Sequence, residues 1–187
     1  MLIIEGSDCL GKTTLANSIL KRIQELGEVA TIRHLGRPDA TFDFYTDYFP
    51  MIEPSVIQDR FHLGALAYHD NVMTANQLRI IEGWIYSHGG FIILMYAGNF
   101  QKYKIRIKND PRGNLLKVPI LEEANKRFYE LVHYNKKVII DFSWDLYDSK
   151  GEEQYMNQYL INELTEKWLQ RRKEYYNGLE ILQNSNR

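Results

Sequence analysis

The sequence predicts an α/β protein built on a doubly wound, five-stranded parallel sheet with helices on both faces. Three observations carry this expectation. Short apolar runs alternate with longer segments of helical period along the 187 residues. The run Phe91-Ile92-Ile93-Leu94-Met95-Tyr96 is apolar throughout, as strands covered on both faces are. A glycine-containing turn, Gly6 to Gly11, joins the first apolar run to the first helical pattern.

Each element has its own signal. Met1 to Glu5 reads as a buried strand. Leu15, Ile19, Ile23 and Leu26 fall on one helical face, and Gly27 follows as a stop. Val29 to Arg33 and Ser55 to Gln58 are the next strand candidates. Thr74 and Gln77 form a capping box opening a helix that carries Leu78, Ile81 and Ile85 and ends at Gly89-Gly90. After the strand Phe91 to Tyr96, Pro119 suits the first turn of a helix bearing Leu121, Ala124, Phe128 and Leu131. Val138 to Ile140 is the fifth strand. A final helix from about Glu152 to Tyr176 places Met156, Leu160, Leu164 and Trp168 at intervals of four. No repeat or linker divides the chain, so residues 1–187 are expected to form a single domain.

Composition narrows the function. Net charge is −1, which supplies no basic field for nucleic acid or an anionic membrane surface. The lone cysteine, Cys9, rules out an internal disulfide framework. With no leader pattern and no apolar run of spanning length, the expected location is the cytoplasm. The five histidines show no metal-ligand spacing with cysteine.

In such sheets ligands bind beyond the carboxyl ends of the strands, and the chemistry-bearing residues fall there. Gly6-Ser7-Asp8-Cys9-Leu10-Gly11-Lys12-Thr13 fits G-x-x-x-x-G-K-[ST] without deviation, and Thr14 follows. The glycines let successive N–H groups turn inward around phosphates, and the helix that follows aims its positive end at them. Lys12 reaches the terminal phosphates, and the Thr13 hydroxyl ligates Mg²⁺. The pattern implies a nucleoside triphosphate, but motors, switches and enzymes share it. Asp8 is out of place in a cradle for anions, so a second molecule should need it.

Asp59, at the end of the third strand, can hold Mg²⁺ through water. Arg60 beside it offers a bidentate fork for a phosphate. Between residues 101 and 118 lie Lys102, Lys104, Arg106, Lys108, Arg112 and Lys117 around an Asn109-to-Asn114 turn. They read either as a solvated face or as a lid whose cations close over the phosphates. Lys102 to Lys108 alternate with period two, which favours a hairpin for that lid. Residues 41–49 hold five aromatics, which are core or, for Phe42, Phe44 and Tyr45, a slot that stacks a base.

Together these residues resemble the thymidylate kinase family. Glu5 to Thr14 is similar to its signature E-G-x-D-G-x-G-K-[ST]-T, and Asp59-Arg60-Phe61 with Leu66-Ala67-Tyr68 is similar to its D-R-[YFH] and S-x-x-A-Y-Q segments. The resemblance covers most of the chain. It implies ATP-dependent phosphorylation of a deoxynucleoside monophosphate, dTMP foremost, by a homodimer. Lys12 and Thr13 are then implied to bind ATP phosphates and Mg²⁺. Asp8 faces the acceptor's 3′-hydroxyl, Arg60 binds its 5′-phosphate, Phe61 lines its site, and Tyr68 crowds the 2′ position.

The departures lie around the base. Cys9 replaces a glycine, Gly64 a serine and His69 a glutamine. Thr31 to Pro38 stands in place of T-R-E-P-G-G, so either Arg33 or Arg37 supplies that segment's cation. A divergent member, of the kind viruses encode, has this pattern. Two other readings share the phosphate loop: a deoxynucleoside kinase, which needs a carboxylate base for a 5′-hydroxyl, and a nucleotide-binding switch without turnover.

Overall fold

The structure, a computed structural model, describes residues 1–35, 44–69, 73–109, 118–131, 138–141 and 157–185. The strands β1 (Leu2–Gly6), β2 (Thr31–His34), β3 (Val56–Asp59), β4 (Phe91–Tyr96) and β5 (Val138–Asp141) pair in the order β2-β3-β1-β4-β5. Every pairing is parallel, with Leu2 beside both Ile57 and Phe91, and Ile4 beside both Asp59 and Ile93. After β1 the chain moves out to β2, and after β3 it crosses β1 to β4. The carboxyl ends of β1, β3 and β4 therefore meet where the strand order reverses, the expected place for a ligand.

Side-chain alternation divides the core between two faces. Leu2 and Ile4 of β1 and Phe91, Ile93 and Met95 of β4 point to one face. There they meet α1 (Lys12–Glu25) through Leu15, Ile19 and Ile23, and α6 (Gln158–Ser185) through Ile161, Leu164 and Trp168. Met1, Ile3, Ile92 and Leu94 point to the other face, against α2 (His62–Tyr68) and α3 (Ala75–Ser87). Strands buried on both faces are apolar at nearly every position, which is why the run at Phe91 was legible. α5 (Val118–Leu131) serves both clusters, Leu121 joining the first and Phe128 the second.

Helix boundaries follow local chemistry. Gly27, at φ 74°, ends α1 and donates to the Gln24 carbonyl. Thr74 caps α3 in the predicted box, its hydroxyl accepting from Gln77 N–H while the Gln77 side chain accepts from Thr74 N–H. Pro119 lies in the first turn of α5, where its missing N–H costs nothing.

The basic segment differs from expectation. Residues Phe100–Asn109 form a helix, α4, rather than the strand of a hairpin. Tyr103 and Ile107, four apart, are buried against the first core cluster, and Ile105 between them is exposed. Burying one pair at helical spacing outweighs the period-two pattern. α2 and a short turn over Phe44–Met51 are additions the sequence pattern did not predict. Residues 110–117 and 152–156 of the expected lid and final helix lie outside the described residues. Among the described residues no helix is long and apolar enough to cross a membrane.

Candidate functional site

β1 delivers its last residue into a tight turn. Gly6 has φ 149°, and a Cβ there would lie 2.3 Å from the Met95 carbonyl oxygen, so only glycine fits against β4. Cys9 and Gly11 follow with left-handed φ of 64° and 82°. A backbone that turns this way directs N–H groups to its concave side and carbonyls outward. The outward carbonyls are gripped from α4: Tyr103 Oη donates to Asp8 O at 2.6 Å, and Arg106 Nε donates to Cys9 O at 2.8 Å. The two residues are three apart and so share one helix face. Ser7 Oγ lies 2.7 Å from Tyr103 Oη and extends the chain of hydroxyls. Asp8 N–H donates to Tyr68 Oη at 3.0 Å, which pins the loop to α2 as well. Burial first, and then the Asp8 charge, push the Tyr68 phenol up to about 12, so it stays neutral and available as an acceptor.

The charged side chains converge on this loop. Lys12, nearly inaccessible, donates to Ser7 O at 2.7 Å and stands 3.7 Å from Asp8 Oδ1. Burial drives its ammonium well below the usual lysine value, with Asp8 opposing the shift and Arg60 adding to it. Arg60 Nη2 pairs with the same Asp8 oxygen. Asp8 therefore bridges two cations that would otherwise repel each other. Arg60 itself has φ 70°, a left-handed conformation that bulky residues adopt rarely. Its N–H donates to Ile4 O at 3.0 Å, so the arginine leaves the sheet where β3 ends beside β1.

Lys12, Arg60 and Arg106, with Cys9, Gly11, Thr13 and Thr14, line a cavity of about 130 Å³ over the amino end of α1. Three cations and a helix amino terminus on one small cavity have the chemistry to hold a polyphosphate. Beside it, Thr13 Oγ1 donates to Asp59 Oδ2 at 2.6 Å, and His34 Nδ1 lies 3.1 Å from that oxygen. The other carboxylate oxygen, Asp59 Oδ1, is buried without a hydrogen-bond partner. A buried, unpartnered hard oxygen next to a threonine hydroxyl fits Mg²⁺, which takes one or two protein oxygens and completes its shell with water and phosphate. The described residues contain no group of three or more His, Cys, Asp or Glu able to hold a metal alone.

Under the loop, Glu5 is wholly buried. Its Oε1 accepts from Phe61 N–H and Leu63 N–H, both at 2.8 Å, while Oε2 has no partner. Burial pushes its carboxyl above the usual range, against the opposing pull of His62 and nearby backbone N–H groups.

The structure thus brings Gly6, Ser7, Asp8, Cys9, Gly11, Lys12, Thr13, Asp59, Arg60, Tyr68 and Arg106 together around the loop, with Thr14 on the cavity wall and Leu10 buried in the core. It places two expected residues elsewhere. Arg33 pairs with Glu53 at 2.7 Å on the edge strand β2, and Phe61 packs edge-on against Tyr48 in the second core cluster, 4.9 Å between ring centres. Arg37, Phe42 and Arg112 lie outside the described residues. Tyr103, His34 and Glu5 were not read from sequence as site residues. Glu5 alone had a local signal, a carboxylate at the end of an otherwise apolar strand.

Sheet order and loop together describe a parallel α/β fold in which a G-x-x-x-x-G-K-[ST] turn joins β1 to α1, with helices on both faces of the sheet. No protein-family model and no curated protein sequence matches the chain. Among solved structures it is similar to the YorR protein from Bacillus subtilis in complex with phosphorylated GDP, at 21% identity and a TM-score of 0.59, over 76% of this chain and 86% of that one. It is also similar to deoxyadenosine kinase from M. mycoides with bound dCTP, at 17% identity and a TM-score of 0.46, over 89% of this chain and 100% of that one. The first likeness establishes a shared fold.

Proposed function

We propose that the chain transfers the terminal phosphoryl group of ATP, with Mg²⁺, to a deoxynucleoside monophosphate. The acceptor implied by the thymidylate kinase resemblance is dTMP. One observation carries the reading. Arg60 enters the phosphate-loop cavity from a left-handed turn at the end of β3, separated from Lys12 by the Asp8 carboxylate. One cation suffices for a donor's terminal phosphates. A second, mounted on a different strand and bridged to the first by a carboxylate, suits a second phosphate placed in line with the first.

The protein has little covalent chemistry to perform. The loop's N–H groups and Lys12 hold the donor phosphates, Arg60 holds the acceptor phosphate, and Arg106 adds positive charge on the cavity wall. Thr13 and Asp59 would hold Mg²⁺, which neutralises charge on the phosphate oxygens when bound. Asp8 balances the two cations until the acceptor arrives, then accepts from its sugar hydroxyl. A homodimer is the assembly the resemblance implies, to be tested by analytical ultracentrifugation.

A second reading has its own observation. A nucleoside kinase needs a carboxylate to take the proton of a 5′-hydroxyl, and Glu5 combines a raised carboxyl with an unpartnered Oε2. Incubation with ATP, Mg²⁺ and each nucleoside or deoxynucleoside monophosphate, with products separated by liquid chromatography and mass spectrometry, decides between them. Diphosphate products support the first reading, and monophosphate products from nucleosides support the second. Binding of ATP with no acceptor-dependent turnover identifies a switch.

A further inference from the structure

Glu5 occupies a position in β1 whose neighbours Leu2, Ile3 and Ile4 are all apolar and fully buried. A carboxylate there needs a reason, because burying one without full pairing is unfavourable. Its bonds supply that reason. Oε1 accepts from the N–H of Phe61 and from the N–H of Leu63, and the preceding residue's carbonyl, Ile4 O, accepts from Arg60 N–H. Two consecutive residues of β1 thus bind three of the four N–H groups from Arg60 to Leu63.

Those N–H groups belong to an irregular turn that opens a helix. Arg60 is left-handed at φ 70°, Phe61 follows at φ −152° and ψ −125°, and α2 starts at His62. N–H groups at the start of a helix lack partners within it. No side chain of the turn itself caps α2, and the acceptor comes from Glu5 on the sheet. A left-handed arginine persists only when its surroundings over-determine it. Here its own amide and the amides of Phe61 and Leu63 that follow it are all fixed to β1.

We propose that Glu5 is a positioning residue: it acts through the Phe61 and Leu63 amides to hold the Arg60 guanidinium at the phosphate-loop cavity, and it does not itself exchange a proton with substrate. The proposal rests on the reading of Arg60 as the acceptor-phosphate cation. It also sets Glu5 against the alternative role of base, and the two roles respond differently to the isosteric amide. In E5Q the side-chain carbonyl still accepts both N–H bonds, whereas a base is lost. In E5M the shape remains and the acceptor is gone.

Three measurements on the full chain test this. The first is steady-state kinetics of E5Q and E5M with ATP and the best monophosphate acceptor across the pH range. The second is ATP affinity by calorimetry. The third is the ¹⁵N–¹H spectrum and amide exchange of residues 60–63 without ligand. E5Q is expected to lose far less acceptor kcat/KM than E5M and to keep the pH profile of the unsubstituted protein. E5M is expected to lose about 100-fold in kcat/KM for the acceptor, the scale of a small misplacement of a binding group, with ATP affinity unchanged. Its Phe61 and Leu63 amides should shift and exchange faster, while those of E5Q stay protected.

The proposal is overturned if E5Q is as inactive as E5M with its amides still protected, since Glu5 is then a base. It is equally overturned if E5M leaves the amides of residues 60–63 undisturbed. Should E5M fail to fold, E5Q alone decides, through activity and amide protection together. If no monophosphate is phosphorylated by any form of the protein, the acceptor reading fails. The amide spectra still report whether Glu5 fixes the turn.

Discussion

Thr13 Oγ1 donates to Asp59 Oδ2 across 2.6 Å, tying the first turn of α1 to the last residue of β3. The bond leaves Asp59 Oδ1 buried and unpartnered while fixing its direction. A carboxylate held this way has its orientation set before a cation or its bound water arrives. D59N is therefore expected to weaken the apparent affinity for Mg²⁺ in the transfer assay by about 10- to 100-fold. Part of the rate should return at high Mg²⁺ concentration, and T13S should resemble the unsubstituted protein where T13V does not. Identical Mg²⁺ titrations for D59N and the unsubstituted chain would remove Asp59 from the metal site.

Asp8 and Arg60 form an ion pair that is only partly buried, so its worth to stability is small. Its effect on function should be larger, because Asp8 also stands 3.7 Å from Lys12. The expected result of a D8A, R60A and double-substitution cycle is strong non-additivity in acceptor kcat/KM, with a coupling of about 1–3 kcal/mol. The ATP KM should move little in R60A. Additive losses would mean that the two side chains serve different ligands.

Cys9 adopts φ 64° at a position where the resembled family carries glycine. A side chain in that conformation costs about 1–2 kcal/mol, and glycine returns about 0.5–1 kcal/mol of that as unfolded-state entropy. C9G should therefore stabilise the chain slightly, by about 0.5 kcal/mol, or about 1–2 °C in calorimetric Tm at this size. Transfer activity should be retained. C9A should show no such gain. G6A, whose new methyl would meet the Met95 carbonyl at 2.3 Å, should by contrast lose about 1–3 kcal/mol. A destabilised C9G would show that the Cys9 thiol packs more favourably than its backbone strain costs.

What the sequence made legible was local or strictly periodic. The loop, the Thr74–Gln77 cap and the face of α1 each fall within a short window, and the physics that forms them acts within that window. α4 was misread because Tyr103, Ile105 and Ile107 satisfy both periods over seven residues. Only the sheet beneath decides that Tyr103 and Ile107 are buried and Ile105 is not. The site's supporting bonds were invisible for a related reason. Glu5 meets residues 56 and 58 positions away, Tyr103 meets the loop from 95 away, and His34 reaches Asp59 from 25 away. Such pairs exist only once β1, β3 and β4 are aligned in register.

Lys12 carries the last prediction. Burial holds its ammonium below the usual value of 10.5, and Asp8, which opposes the shift, does not cancel it. In the folded chain without ligand, Lys12 therefore releases its proton at lower pH than in the unfolded chain. Between those two values the unfolded state binds more protons, so this group's contribution to stability rises with pH through that window. A triphosphate reverses the balance, because its negative charge favours the ammonium form. ATP binding at alkaline pH should be accompanied by proton uptake, read as a binding enthalpy that depends on the ionisation enthalpy of the buffer. The uptake should shrink once the pH falls below the value at which free Lys12 takes up its proton, and it should vanish in K12M. That variant should also lose at least about 100-fold in transfer rate, as loss of a charge-stabilising group does. Buffer-independent enthalpies at alkaline pH would show that Lys12 is already charged in the free protein. In that case Asp8, rather than the ligand, supplies its counter-charge.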